Sequence, residues 1–223
     1  MASNKDCIIN VALGYWYPKG QARLLESLRI VGWNGVTRSW VSWPNDNYDK
    51  TCAYNCKAAA FEESIKSDLS RYLWLDCSFW AIHDPQEIFD IIQRDGYYFV
   101  NDGYNCAQTC SDACLKYFNI TRDEAELIPG IASGIMGIDI SNPIGKQFIY
   151  EFIRASKAGV AAGSRLHDGQ SKDPRFLFHR QDQSVASLII GKMGLHRHDW
   201  GDHASYDHGN KHPDNVLLVL RGM

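Results

Sequence analysis

The chain has 223 residues, 45% of them hydrophobic and 22% charged, a balance that builds a core and excludes a disordered chain. With 26 acidic and 23 basic residues its formal charge is −3, without the positive field of a constitutive nucleic-acid or membrane-surface binder. No stretch reaches the ~20 apolar residues of a membrane span and no signal-peptide core follows Met1, so the seven cysteines are expected to be reduced thiols in a cytoplasmic protein.

Residues 7–13 are a short apolar run stopped by Gly14, which reads as a buried strand. Pro18 opens a helix with Ala22, Leu25, Leu28 and Val31 on one face, ended by Gly32. Residues 36–43 alternate as a strand and stop at a Pro-Asn-Asp-Asn turn cluster. Ala58, Phe61, Ile65 and Leu69 recur at helical spacing over residues 54–69. Residues 71–75 form a strand that ends at Asp76, and Asp84-Pro85 caps and starts a helix with Ile88, Ile91 and Ile92 inward.

Residues 97–100 read as a strand and 109–118 as a helix. A glycine-bearing strand covers 131–140, and Asn142-Pro143 opens a long helix to about residue 158. A Gly/Ser/Asp-rich loop over 163–174 precedes a helix at 181–190, and 216–220 is the last strand. Strands and helices alternate without a dividing linker. The expected class is α/β, a single domain over 1–223 with a mostly parallel sheet covered by helices.

Several familiar signatures are missing. Ser133 lies one place late for a nucleophile elbow, Gly14 to Gly20 lacks the ending of a phosphate loop, and no Gly-x-Gly-x-x-Gly follows the first strand. Cys106, Cys110 and Cys114 are four apart, unlike the tight pairs of structural zinc. The most informative stretch is Tyr72-Leu-Trp-Leu-Asp76-Cys-Ser78, an apolar strand delivering a carboxylate at its carboxyl end, where open α/β sheets bind ligands.

Four further segments share one order with that stretch: Ile9-Asn-Val-Ala12-Leu13-Gly14 followed by Tyr15 and Tyr17; Ser133-Gly134-Ile-Met-Gly137-Ile-Asp139; Arg180-Gln-Asp182-Gln183-Ser184; and His208-Gly-Asn-Lys211-His-Pro213. In this order they resemble the GT-A-type glycosyltransferases, most closely the glycogenin-like and bacterial galactosyltransferase-like retaining enzymes, over residues 8–215. The resemblance implies a single GT-A-like domain that moves a hexose from a nucleoside diphosphate donor, expected to be a UDP-sugar, to an acceptor glycan, protein or modified nucleic acid, with retention.

By the same resemblance Asp182, Gln183 and Lys57 would be catalytic. Ala12, Leu13, Gly14, Tyr15, Tyr17, Asp76, Ser78, Gly134 and Lys211 would bind the donor. Asp76, Ser78 and His208 would hold a divalent metal, manganese or magnesium. Ser78 replaces the second carboxylate of the Asp-x-Asp metal motif, and a hard cation prefers anionic oxygen. Asp102 is a nearby carboxylate that could substitute.

Acceptor choice is expected from loops around 102–118 and 160–178, the second beside a basic bias of Lys157, Arg165, Lys172, Arg175 and Arg180. Two rival readings stand beside this one. His196, His198, His203, His208 and His212 suggest a histidine-rich metallohydrolase or oxygenase, and the missing carboxylate suggests a non-catalytic carbohydrate-binding module on the same fold.

Overall fold

The computed structural model describes residues 5–161, 171–209 and 211–221. In chain order the elements are β1 (Asp6–Val11), α1 (Tyr17–Ile30), β2 (Val36–Trp40), α2 (Asn55–Ser64), β3 (Arg71–Leu75), β4 (Phe79–Ala81), α3 (Gln86–Asp95) and β5 (Tyr97–Asn105). They continue with α4 (Cys106–Thr109), α5 (Asp112–Phe118), α6 (Arg122–Glu126), β6 (Pro129–Asp139), α7 (Pro143–Lys157), α8 (Asp182–Met193), β7 (Ala204–Tyr206) and β8 (Leu218–Leu220).

The main sheet has the order β2-β1-β3-β6-β5. β1 pairs in parallel with both β2 and β3, whereas β6 runs antiparallel to its neighbours β3 and β5, so four of the five strands point one way. This is the expected α/β class, with the central sheet flanked by helices. A second sheet, β4-β8-β7, lies beside it.

Side chains alternate across the sheet because strand residues point to opposite faces. Tyr72, Trp74, Met136 and Ile138 pack with Phe61, Phe148, Phe152 and the apolar residues of α8 in one layer. Ile8, Leu73, Leu75 and Ile135 pack with Leu24, Leu28 and Phe89 in the other. Burial of apolar surface stabilises by about 25 cal/mol per Å², so strands covered on both faces contribute from both layers. Among the described residues no helix is long and apolar enough to cross a membrane.

Local chemistry moved several boundaries. α1 buries Gln21, Leu24, Ser27 and Leu28, while Ala22 is exposed; the inward stripe is set by Gln21 meeting buried Asn10, not by the apolar series from Ala22. α2 ends at Ser64, β2 at Trp40, and α3 begins at Gln86 with Pro85 as N-cap, the Gln86 N–H donating to Asp84 Oδ1 at 3.1 Å. The helix expected at 109–118 is two, because Ser111 caps the Cys114 N–H and Cys110 between them is extended. Residues 102–118 are therefore the end of β5 with α4 and α5, not a loop. Most of the loop expected at 163–174, with Arg165, lies outside the described residues.

Candidate active site

A cleft of about 1140 Å³ opens beyond the carboxyl ends of β1 and β3, floored by Val11, Leu13 and Trp74. Three polypeptide segments bring its chemistry together. β3 delivers Asp76, whose N–H donates to Gly134 O at 2.8 Å and so ties the turn to β6. α2 contributes Lys57, and the first turn of α8 contributes Asp182 and Gln183. A Cβ on Gly134 would approach Asp76 Oδ2 and Phe79 to 3.2 Å, so glycine lets β6 lie directly against the carboxylate.

Lys57 is the hub. Its Nζ lies 2.7 Å from Asp182 Oδ2 and 3.6 Å from Asp76 Oδ1, donates to Ser133 O at 2.5 Å, and stands 5.1 Å from the Trp74 ring centre. Lys57 is only 4% exposed. Burial alone would lower the ammonium pKa, yet the facing Asp182 and Asp76 outweigh it and hold the pKa above the ordinary lysine value. Asp76 also accepts the Trp74 indole N–H at 2.6 Å. The N-cap of α8 is Gln181, which leaves Asp182 to pair with the lysine.

Gln183 is held at both ends of its amide. Nε2 donates to Asp102 and Oε1 accepts from Arg180 at 3.0 Å. Asp102 is aimed there by irregular pairing between β5 and β6, and its own Oδ1 accepts the Tyr104 N–H at 2.9 Å. Burial raises the Asp102 pKa, partly offset by that bond and by Arg180. Asp102 thus positions Gln183; spacing alone did not reveal this, because 81 residues separate the two. Before them, Gln181 has φ 47° and ψ −117°, a strained conformation for a non-glycine residue.

The first strand's end also reaches the cleft, with Leu13 and Tyr17 in its wall. Ala12 is buried and its N–H bonds Trp40 O at 2.8 Å. Gly14 takes φ 83° in the exposed turn into α1, and Tyr15 is 77% exposed beside it. Two residues that the sequence did not single out, Lys19 and Arg23, line the same cleft from α1. Arg23 donates to Ser78 O at 2.9 Å and lies 4.4 Å over the Trp80 ring.

The residues fit a divalent metal poorly. Asp76 offers one carboxylate already bonded by Trp74 and facing Lys57, and Ser78 offers a neutral oxygen. His208 and Lys211 are exposed on the segment after β7 and do not line the cleft, although Tyr206 does. Among the described residues no three His, Cys, Asp or Glu side chains converge as metal ligands.

The other histidines have structural partners. The backbone of His198 bonds β5 at Phe99 and Asn101, and its ring stacks on Tyr98. Burial, then His203 and His196, lowers its pKa. His203 faces Glu87 at 3.6 Å and His212 faces Asp207 at 3.7 Å. Two members of the basic bias are spent internally, Lys157 pairing with Glu62 and Arg175 with Asp123, Glu126 and Asp173.

No protein-family model matches the chain, and no curated protein matches it in sequence. Its fold is similar to that of solved glycosyltransferases. A glycosyltransferase involved in glycosylation of the major capsid of PBCV-1 superposes with TM-score 0.55 and 11% identity, over 96% of this chain and 91% of that one. Mouse xyloside xylosyltransferase 1 gives 0.54 and 11%, over 97% of each chain. The bifunctional glycosyltransferase WbbM gives 0.55 and 14%, over 99% of this chain and 46% of its own. At these identities the likeness is one of fold.

Proposed function

We propose that a protein with this fold and this cleft is a glycosyltransferase that uses a nucleoside diphosphate sugar. The observation that carries the reading is the buried Lys57 joining Asp182 and Asp76 from opposite walls of the cleft. A buried charged cluster is expensive to maintain, and such clusters in clefts mark functional sites. The sequence order of the same residues resembles the retaining GT-A-type pattern, with Ser78 as the departure.

In this reading Asp182 accepts hydrogen bonds from donor-sugar hydroxyls, with Lys57 fixing the carboxylate. Gln183, immobilised by Asp102 and Arg180, stands beside the anomeric carbon in a preset orientation. The bond from the anomeric carbon to the diphosphate oxygen breaks, and the acceptor oxygen forms the new glycosidic bond. The acceptor proton passes to the departing phosphate oxygen. Tyr17 and exposed Tyr15 and Trp16 offer aromatic faces for the base. Acceptor classes in keeping with this chemistry are a glycan, a protein hydroxyl or a modified nucleic acid.

The test is a panel of nucleoside diphosphate sugars scored for binding by calorimetry and for slow donor hydrolysis by released nucleoside diphosphate. Binding with hydrolysis supports the transferase. Binding without any turnover on long incubation supports the non-catalytic module, and binding of no nucleotide sugar refutes both.

A further inference from the structure

The charge in the cleft does not look like that of a metal-dependent site. Its charged lining residues are Lys19, Arg23, Lys57, Arg180, Asp76 and Asp182, four cations against two carboxylates, in a chain whose total is −3. Lys57 is matched by Asp182 and Asp76. Among the described residues Lys19, Arg23 and Arg180 have no carboxylate ion-pair partner. The charged lining of the cleft therefore sums to +2. A nucleoside diphosphate sugar carries one negative charge on each of its two phosphates.

We infer that the donor's diphosphate is held by the fixed cations Arg23 and Lys19 of α1, beside the serine that stands in for the second metal-motif carboxylate, so that donor binding needs no divalent metal. This rests on the proposed donor class, and three observations carry it further. Arg23 and Lys19 are four residues apart on one helix, hence on one face, and both line the cleft. The Arg23 guanidinium is locked against the Asp76–Ser78 turn by the Ser78 carbonyl at 2.9 Å and by stacking on Trp80, which places a permanent cation at the turn that would otherwise hold the metal. A second carboxylate at position 78 would pair with that guanidinium; serine keeps it available.

Arginine suits the task because its planar fork of N–H donors matches phosphate oxygens, and only one of its terminal nitrogens is committed to the protein here. Lys19 stands 5.0 Å from the Trp16 ring centre and lines the cleft as a second charge. Together they supply the charge neutralisation that a bridging cation supplies elsewhere.

The experiment is isothermal titration of the purified chain with UDP, GDP, ADP, CDP and dTDP, in EDTA and in manganese chloride. The expected result is that at least one nucleotide binds in EDTA within about three-fold of its affinity in manganese. Arg23→Gln and the exposed Lys19→Gln should each weaken that binding about 10–100-fold, the worth of a charge-assisted hydrogen bond. Arg23→Lys, with an unchanged melting temperature, should recover part of the loss. Ser78→Asp should weaken binding in EDTA and make it manganese-dependent. Binding only in manganese overturns the inference and leaves the transferase reading intact. Undiminished EDTA binding in Lys19→Gln and Arg23→Gln also overturns it. No binding in either condition sinks both.

Discussion

Replacing Lys57 by methionine is the sharpest perturbation of the site. The substitution keeps the volume and removes the charge, leaving Asp182, 2% exposed, without its counter-ion and Ser133 O without its donor. Removing one partner of a buried pair costs about 3–5 kcal/mol. A carboxylate stranded there escapes by taking up a proton, which at pH 7 costs about 4 kcal/mol, so the two estimates agree. For a chain of this size each kcal/mol shifts the melting temperature by roughly 2–4 °C, giving a fall of about 8–16 °C. Guanidinium unfolding monitored by tryptophan fluorescence measures it directly.

The pH dependence supplies a second, independent sign. In the native protein the Lys57 pKa is raised, so its stabilisation is complete below the ordinary lysine value and is lost only as pH rises through the higher folded value. In Lys57→Met the stranded carboxyl has the raised pKa instead, so the deficit should be large at pH 7 and shrink toward pH 4. Adding Asp182→Asn should recover about half of the loss. A deficit under 1 kcal/mol at pH 7, or a double variant as unstable as the two singles summed, would refute the ion-cluster argument.

Three further outcomes follow from the geometry. Asp102→Asn removes a carboxylate whose pKa burial has raised, so melting temperature at pH 7 should hold or rise slightly while turnover falls about ten-fold through a loosened Gln183; a KM change without a kcat change would count against positioning. Gly145→Ala should destabilise more than Gly137→Ala, by calorimetric melting, because its Cβ would meet the backbone oxygens of Gly96 and Asp139 at 2.3 and 2.4 Å, whereas that of Gly137 meets mainly the Ile92 side chain at 2.5 Å, which can shift. Thiol titration at pH 8 should find less than one reactive cysteine per native chain and seven after denaturation, since all seven are free, six are buried, and burial pushes the half-buried Cys56 up to about 12.

Local pattern carried the larger elements, because a strand such as β3 or a helix such as α7 announces its period within its own residues. It failed where structure is fixed from elsewhere. β4 and β7 are three residues each, too short for any alternation, and exist because β8 pairs with both. The short α6 rests on the capping box of Thr121 and Glu124, a signal that was present and unread. In the site, the order of segments pointed to Asp76, Lys57, Asp182 and Gln183, but not to their contacts, since Lys57 and Asp182 lie 125 positions apart. Arg23 and Lys19 carry no motif at all; on a helix read by its apolar face they are ordinary solvent residues, and only the cleft wall reveals them.

Three costs converge on one cleft, and stability explains none of them. A buried ion cluster is commonly no better than apolar side chains of the same volume, so Lys57 with Asp182 contributes little that leucine and methionine would not. Gln181 holds a backbone conformation that is strained for any residue but glycine, of order 1–3 kcal/mol, directly before Asp182. Asp102 is half-buried, with its carboxyl pKa pushed up, to hold a single amide in place. Sequences that are consistent elsewhere depart from consistency at working sites. Here the departures fall on the same first turn of α8 and the two walls that face it, while the sheet and both apolar layers conform. That coincidence supports the proposed site by an argument separate from any likeness to other proteins, and it makes the turn from Arg180 to Gln183 the first segment to probe for loss of activity without loss of fold.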